Sequence, residues 1–246
     1  MKIVLVIPVR FQSSRLPGKP LIDLMGKTMI QRTFGQCAKA FDRRDIFVAT
    51  DDERIASHCR EHGMNVIMTS ASCLTGTDRV AEASRAVEAD YYINVQGDEP
   101  VFNPKDISKI LEILPKFPGE ILNGYCPIKE EGLFLSRNIP KVAFGKDGQL
   151  LYMSRAPIPA SGKVGLLNAW RQVCVYAFPK EVLLRFGGAS AKTPLERIED
   201  IEILRFLEMG VRVRMIELST DSISVDEPQD VPKVLARLKQ DPTRYE

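Results

Sequence analysis

The sequence has few of the residues on which hydrolases and metal enzymes depend. It contains only two histidines and no G-x-S-x-G segment, so a hydrolase with a Ser-His-Asp triad is poorly supported. Its five cysteines are scattered, odd in number and without a C-x-x-C pair. This pattern gives no case for zinc or a disulfide framework and is typical of reduced thiols in the cytoplasm.

An excess of one charge and a long apolar run are also missing. Lys and Arg number 34 against 32 Asp and Glu, a formal net charge of +2. Because nucleic-acid binders carry strongly basic faces, this balance predicts no nucleic-acid partner. The opening apolar run, Ile3 to Val9, contains Pro8 and is followed at once by Arg10. It is too short to span a membrane and lacks a signal-peptide cleavage pattern, so we expect a cytoplasmic protein without a membrane partner.

The first half of the chain alternates short β-branched runs with helical patterns. Predicted strands are Ile3–Pro8, Asp45–Thr50, Val66–Thr69 and Tyr91–Val95, and predicted helices are Met29–Ala40, Glu53–Glu61, Asp78–Glu88 and Pro104–Pro115. This spacing is typical of right-handed βαβ units. It predicts the α/β class, with a mostly parallel, Rossmann-like sheet covered on both faces.

The second half is less regular and suggests antiparallel pairing. Predicted strands are Leu122–Ile128, Val142–Phe144, Gln172–Phe178 and Val211–Leu218, and predicted helices are Pro194–Met209 and one after Pro228. A length of 246 residues fits one large domain with a small lobe. We therefore predict a single domain over residues 1–246, with a lobe around 120–190 that covers the substrate.

Ligands of open α/β sheets bind beyond the carboxyl ends of the strands. The loop after the first strand carries three cations, Arg10, Arg15 and Lys19, together with Ser14. Such a loop can surround a polyphosphate with charge-assisted hydrogen bonds. A solvated basic surface loop explains three cations equally well.

Two acidic segments follow other predicted strands. Asp98 follows the fourth strand, after Gly97, which would let a ligand approach the backbone closely. Asp226 follows a later strand and provides a second carboxylate. Magnesium typically takes one or two carboxylates plus phosphate oxygens, so this pair is a candidate metal site. The alternatives are an acidic turn at Asp98 and an N-cap of the last helix at Asp226.

The segment Thr75-Gly-Thr-Asp-Arg79 is predicted to begin a helix, with Thr77 or Asp78 as its N-cap. Arg79 would then lie in the first turn, where a cation opposes the helix macrodipole. This position indicates a role such as holding an anionic group.

Charged residues also recur three apart on the predicted Pro194 helix: Glu196, Glu199, Glu202 and Arg205. They form either a polar stripe that points inward or, as is more usual, an exposed face with local Glu–Arg pairs.

Six segments, in this order, resemble motifs of the 3-deoxy-manno-octulosonate (Kdo) cytidylyltransferases, the CMP-Kdo synthetase family. They are Ser-Ser-Arg-Leu-Pro-Gly-Lys-Pro-Leu (13–21), Ala-Thr-Asp-Asp (49–52), Gly-Thr-Asp-Arg (76–79), Asn-Val-Gln-Gly-Asp-Glu-Pro (94–100), Leu-Tyr-Met-Ser-Arg-Ala-Pro-Ile-Pro (151–159) and Val-Asp-x-Pro-x-Asp (225–230). The likeness covers nearly the whole chain. It implies a nucleotidyltransferase sheet with a sugar-binding and dimerisation lobe, and a homodimer.

The resemblance also implies roles for individual residues. For CTP it implies Arg10, Ser14, Arg15, Lys19, Thr75 and Gln96. For the sugar acid it implies Arg79, Gln96, Arg155, Gln172, Tyr176 and Glu202. For Mg²⁺, the implied cofactor, it implies Asp98 and Asp226. Lys19, Arg15 and Asp98 would be catalytic.

The chain departs from the family pattern at two positions that face the sugar in that family. The family's His-x-Gly-Ile-Tyr-Gly-Tyr is here Gln172-Val-Cys-Val-Tyr-Ala-Phe178, and its Glu-Gln-Leu-Arg is here Glu202-Ile203-Leu-Arg205. An unpaired buried polar group costs roughly 1–3 kcal/mol, so these changes should alter which hydroxyls are accepted. The expected substrate is Kdo or a close analogue such as 8-amino-Kdo.

The implied reaction is in-line attack of the anomeric hydroxyl on the α-phosphate of CTP, with pyrophosphate leaving. Such transfers depend chiefly on positioning and charge neutralisation. Two alternatives stay open: a cytidylyltransferase for a sialic-type nonulosonate, and an inactive nucleotide-binding relative.

Overall fold

The computed structural model describes residues 1–13, 15–160, 168–220 and 222–245. The strands in these residues are β1 (Ile3–Pro8), β2 (Ile46–Thr50), β3 (Asn65–Met68), β4 (Tyr91–Val95), β5 (Ile121–Pro127), β6 (Lys141–Phe144), β7 (Leu150–Ser154), β8 (Trp170–Pro179) and β9 (Val213–Glu217). They form one sheet in the order β3-β2-β1-β4-β8-β5-β9, and β6 joins it beside β8 and pairs with β7.

The first four strands are all parallel. Leu5 of β1 lies opposite Ile46 on one side and Ile93 on the other. Successive β1 residues face two separate clusters of the hydrophobic core, Leu5 one of them and Val6 the other. A strand buried on both faces reads as a continuous apolar run, which is why the sequence revealed β1 so clearly. The predicted α/β class with a parallel sheet is confirmed.

The second half is antiparallel around β8, as the sequence suggested. This strand pairs antiparallel with β4 and with β5, whereas β5 pairs parallel with β9. The register between β5 and β8 shifts between Asn123 and Gly124, an irregularity of the kind that bends a strand. Strands β5, β6, β7 and β8 all come from residues within the predicted lobe and belong to the same sheet as β1.

The helices of the described residues are α1 (Met29–Cys37), α2 (Glu53–Glu61), α3 (Gly76–Ala86), α4 (Pro104–Ile113), α5 (Glu131–Leu135), α6 (Lys180–Phe186), α7 (Pro194–Glu199), α8 (Ile203–Glu208), α9 (Val231–Gln240) and α10 (Pro242–Tyr245). None of them is long and apolar enough to cross a membrane. The sequence analysis missed α6, which begins directly where β8 ends, after Pro179.

The N-cap of α3 differs from the prediction. Thr75 is the cap, because its Oγ1 accepts a hydrogen bond of 3.1 Å from the backbone N–H of Asp78. The side chain of Thr77 instead donates to Glu202. The prediction that Thr77 or Asp78 caps this helix was wrong because two threonines, two residues apart, offer equivalent local signals.

The single helix predicted over Pro194–Met209 is two helices, α7 and α8. Asp200 separates them with a φ of 53°, a left-handed conformation that ends a helix. The turn lets Arg205 of α8 reach back to Glu196 of α7, with Nε 2.6 Å from Oε2. Both side chains are fully buried. The expectation of an exposed charged face was therefore wrong, and the stripe points inward.

Candidate active site

A cavity of about 290 Å³ opens where β1 and β4 end. Its described wall carries six cationic side chains and four carboxylates. The cations are Arg10, Arg15, Lys19, Arg79, Arg155 and Lys192, and the carboxylates are Asp98, Asp200, Glu202 and Asp226. Low-dielectric walls with an excess of positive charge concentrate anionic ligands. The cavity lies beyond the carboxyl ends of these strands, the place where open α/β sheets bind their ligands.

The loop after β1 brings its cations into this cavity. A hydrogen bond of 2.9 Å from Gly18 N to Phe11 O closes the loop, and Gly18 has a φ of 71°, which favours glycine. The Lys19 side chain is only 16% exposed, so a solvated surface loop does not describe it. Ser14, predicted to bind CTP, lies outside the described residues.

Lys19 joins this loop to the end of β4. Its Nζ donates to Asp98 Oδ2 at 2.7 Å and to Val225 O at 2.8 Å. The backbone N–H of Val225 also donates to Asp98 O at 3.0 Å. These contacts bring together three segments that are far apart in sequence.

Asp226 follows Val225 and shares the cavity with Asp98. Burial raises the pKa of Asp226, and the negative charge of Asp98 raises it further, as expected for neighbouring carboxylates. Among the described residues, no group of three or more His, Cys, Asp or Glu side chains is arranged to hold a metal ion. Two hard oxygen donors in a cavity lined by cations fit a magnesium ion that also takes phosphate oxygens.

The alternative role of Asp226 as a helix cap was wrong. Glu227 is the N-cap of the short turn Pro228–Asp230. The carboxylate of Asp230 accepts hydrogen bonds from the backbone N–H groups of Glu227 and Asp226, at 3.0 and 3.1 Å. The Asp226 carboxylate therefore faces the cavity, 3.8 Å from a guanidinium nitrogen of Arg15.

Gly97 is required by packing and also lines the cavity. A Cβ atom at this position would lie 2.1 Å from Val9 Cγ1 and 3.1 Å from Pro8 O. The end of β1 therefore excludes a larger residue here, and the expectation that Gly97 lets a ligand approach the backbone closely stays a prediction.

Glu202 ties α8 to the start of α3. Its carboxylate accepts hydrogen bonds from the backbone N–H groups of Gly76 and Thr77, at 3.1 and 2.9 Å. It thus satisfies two of the backbone N–H groups that have no partner within the helix at the N-terminus of α3. Burial raises the pKa of Glu202, and these hydrogen bonds oppose the rise. Gln96 lies beside Gly76, where a Cβ atom would come within 3.2 Å of either amide atom.

Arg79 holds an anion, as its position suggested, but the anion belongs to the protein. Its guanidinium lies 3.1 Å from Asp51 Oδ2 and donates to the hydroxyl of Thr69. The side chain is only 4% exposed. Arg79 lines the cavity wall, and Asp51 balances its charge.

Arg155 also lines the wall, with its donors engaged by the backbone. Nε donates to Glu199 O at 2.7 Å and Nη2 to Asp200 O at 2.9 Å. Nη1 donates to the carbonyls of Arg137 and Asn138. Arg155 therefore stabilises the turn between α7 and α8, at the end of α7 where a cation is favoured.

Gln172 and Tyr176, predicted to face the sugar, do not line the cavity. Both are buried on β8. Gln172 Nε2 donates to Asn123 Oδ1 at 3.0 Å, and Asn123 Nδ2 donates to two carbonyls of β8. Burial raises the pKa of Tyr176 well above its ordinary value.

Lys192 and Asp200 line the cavity but were missed by the sequence analysis. Lys192 Nζ lies 2.6 Å from Asp200 Oδ1. This ion pair lowers the pKa of Asp200. Lys192 belongs to no predicted element, and Asp200 fell inside a predicted helix, so no local pattern connected them to the site.

A parallel sheet with a cationic loop after its first strand and two carboxylates at its carboxyl edge has the architecture of a nucleotidyltransferase. Residues 4–215 match the family model described as Cytidylyltransferase. The chain therefore belongs to the cytidylyltransferase family.

Full-length relatives agree with this assignment. The chain is 40% identical to a 3-deoxy-manno-octulosonate cytidylyltransferase of Geobacter metallireducens, over 98% of this chain and 99% of the relative. It is 36% identical to that of Protochlamydia amoebophila, over 95% and 93%. A solved CMP:2-keto-3-deoxy-manno-octonic acid synthetase complexed with CTP superposes with a TM-score of 0.91 at 34% identity, over 98% of this chain and 100% of the other.

Proposed function

We propose that this enzyme transfers CMP from CTP to the anomeric hydroxyl of a 3-deoxy ulosonic acid, releasing pyrophosphate. The observation that carries the proposal is the pair of hydrogen bonds that Lys19 donates to Asp98 and Val225 at the edge of the cavity. It supports the proposal because the cation of Lys19, which would bind phosphate, shares the cavity with the two carboxylates, Asp98 and Asp226. We propose Kdo or a close analogue such as 8-amino-Kdo as the acceptor.

In the proposed reaction the anomeric oxygen forms a bond to the α-phosphorus of CTP. The bond from that phosphorus to the bridging oxygen of the β-phosphate breaks, pyrophosphate leaves, and the hydroxyl proton passes to solvent. Arg15 and Lys19 neutralise the charge that develops on the leaving group, the main requirement of such transfers. Arg10, Ser14, Thr75 and Gln96 would complete the CTP site.

Magnesium would be held by Asp98 and Asp226, and when bound it would neutralise phosphate oxygens as a Lewis acid. Lys19, which contacts Asp98, would keep that carboxylate oriented towards the phosphates. Asp98 and Asp226 line the same cavity, which supports this pair as the metal ligands; burial and then the charge of Asp98 raise the pKa of Asp226.

The proposed site for the acceptor sugar is the part of the cavity wall that α3, α8 and the turn at Asp200 form. Glu202, Gln96 and Arg155 line this wall, whereas Ile203 is buried in the core. The family glutamine that Ile203 replaces therefore has no polar counterpart facing the cavity at this position. We infer that this enzyme recognises the sugar hydroxyls differently in detail from its relatives. Gln172 and Tyr176 would affect sugar binding indirectly, by fixing the conformation of β8.

The test is pyrophosphate release with CTP and magnesium against Kdo, 8-amino-Kdo, sialic acid and no sugar. Release with one octulosonate alone supports the proposal and names the acceptor. Release with sialic acid alone would assign the enzyme to nonulosonate activation. Binding of CTP without release on any sugar would favour an inactive nucleotide-binding relative.

Three further expectations complete the proposal. All five cysteines are free thiols, which supports the cytoplasm as the site of the reaction. The activated sugar would serve synthesis of a bacterial surface polysaccharide such as lipopolysaccharide. A homodimer is expected from the resemblance, and light scattering coupled to gel filtration would test it.

A further inference from the structure

An aromatic side chain lies at the base of the phosphate loop but outside the cavity lining. Phe11 O closes the loop by accepting the hydrogen bond from Gly18 N. The end of the Phe11 ring also covers Gly18, since a Cβ atom there would lie 3.2 Å from Phe11 Cζ. The ring therefore contacts the turn that directly precedes Lys19.

A cation lies over the face of the same ring. The guanidinium carbon of Arg54 is 3.3 Å from the Phe11 ring centroid, within the range of a cation–π contact. Arg54 comes from α2, so this contact connects the loop after β1 to the element after β2.

Arg54 is itself held in place by Asp52. Its Nε and Nη2 donate to the two carboxylate oxygens of Asp52 at 2.9 and 2.6 Å. Asp52 is also the N-cap of α2, accepting from Arg54 N at 3.0 Å. A bidentate pair uses the edge of the guanidinium and leaves its flat face free to stack. The guanidinium is therefore fixed relative to α2 and presents that face to Phe11.

We propose that Arg54 is a positioning residue for nucleotide binding. Held by Asp52, it fixes Phe11, and through Phe11 it fixes the turn at Gly18 that presents Lys19 to the phosphates. A loop that is ordered before binding avoids the entropy cost of ordering on binding. This role rests on the proposed function, because it takes CTP as the ligand of the loop.

The chain offers a matched control in Arg44. It forms the same kind of pair with Asp42, two residues earlier, with Nη2 2.6 Å from Oδ2, and Asp42 likewise caps the following turn. Arg44 does not line the cavity. Arg44→Ala thus removes an equivalent charge and an equivalent local ion pair at a distance from the loop.

The experiment measures CTP affinity by calorimetry for wild type, Arg54→Ala, Phe11→Leu, the double variant and Arg44→Ala. We expect Arg54→Ala to raise the Kd for CTP about two- to fivefold, the range of an exposed cation–π contact. Arg44→Ala should leave the Kd unchanged, and the two arginine variants should have similar melting temperatures. In the Phe11→Leu background, Arg54→Ala should have no further effect, since Arg54 acts through the ring.

Two results would overturn this role while leaving the proposed function intact. One is a Kd for Arg54→Ala equal to that of Arg44→Ala. The other is an Arg54→Ala effect that persists in the Phe11→Leu background, which would mean that Arg54 acts only through its charge. A wild-type chain that bound no CTP would overturn both the proposed function and this role.

Discussion

The ammonium of Lys19 lies 2.7 Å from the carboxylate of Asp98, so the first loop and the end of β4 meet in one ion pair. We expect Asp98→Asn to lower the rate of pyrophosphate release by at least about a hundredfold, the scale of losing one electrostatic contact to the transition state. Asparagine keeps the shape of the side chain and can still accept from Lys19, but it lacks the charge that a metal requires. The measurement is turnover across a magnesium titration.

Asp147→Asn is the control for that substitution, because Asp147 is a largely exposed carboxylate outside the cavity. Its turnover should match that of wild type. Near-normal turnover of Asp98→Asn in magnesium would contradict the role given to Asp98.

Lys192 provides a prediction about the acceptor. Its ion pair with Asp200 is partly exposed, and such pairs contribute little stability, so a ligand can open it easily. We expect Lys192→Met to raise the KM for the sugar acid by at least about tenfold, the lower value of one charge-assisted hydrogen bond. The Kd for CTP should stay unchanged. Steady-state kinetics with each substrate varied would measure both.

The matched control is Lys180→Met, which removes a lysine that pairs with Glu88 outside the cavity. If Lys192→Met raised the KM for CTP and not that for the sugar, Lys192 would belong to the nucleotide site instead.

Arg205 should be essential for stability. It is fully buried between Glu196 and Asp78. Arg205→Met would leave the buried carboxylate of Glu196 without its partner, so we expect the free energy of unfolding to fall by about 3–5 kcal/mol in urea titrations. Arg212→Met, at a largely exposed arginine, should change it by no more than about 0.5 kcal/mol. Similar small changes in both variants would show that Glu196 tolerates the loss.

His58 should make stability depend on pH. Its Nε2 lies 2.9 Å from Thr28 Oγ1 at the N-cap of α1, and burial together with the neighbouring His62 lowers the pKa of His58 from its ordinary 6.5. The His58 side chain therefore binds a proton more weakly in the folded chain than in the unfolded chain. Its contribution to the free energy of unfolding is complete above pH 6.5 and declines as the pH falls below that value.

We therefore expect the urea concentration at the unfolding midpoint to decrease when the pH is lowered from about 7.5 to about 5.5. The decrease should be smaller in His58→Gln. Circular dichroism at each pH would follow the transition. Equal falls in wild type and variant would assign the pH dependence to other groups.

Much of the fold could be predicted because its signals are local. The bounds of α2 (Glu53–Glu61) and β4 (Tyr91–Val95) match the prediction. In each case a short run with one hydrophobic period is bounded by turn or capping residues. The helix break at Asp200 was missed because its left-handed conformation is held by contacts from Arg155, which lies far away in sequence.

The sequence by itself determined the α/β class, the cationic loop after β1 and the position of Asp98 at the end of β4, since strand ends and the residues that follow them are set by local pattern. Only the tertiary structure decided which charges face the cavity and which neutralise one another. Lys19 meets Asp98 across 79 positions, and Arg205 meets Asp78 across 127. Such partners follow from how the strands and helices pack, because a charge removed from water must find its counter-ion wherever the fold places one.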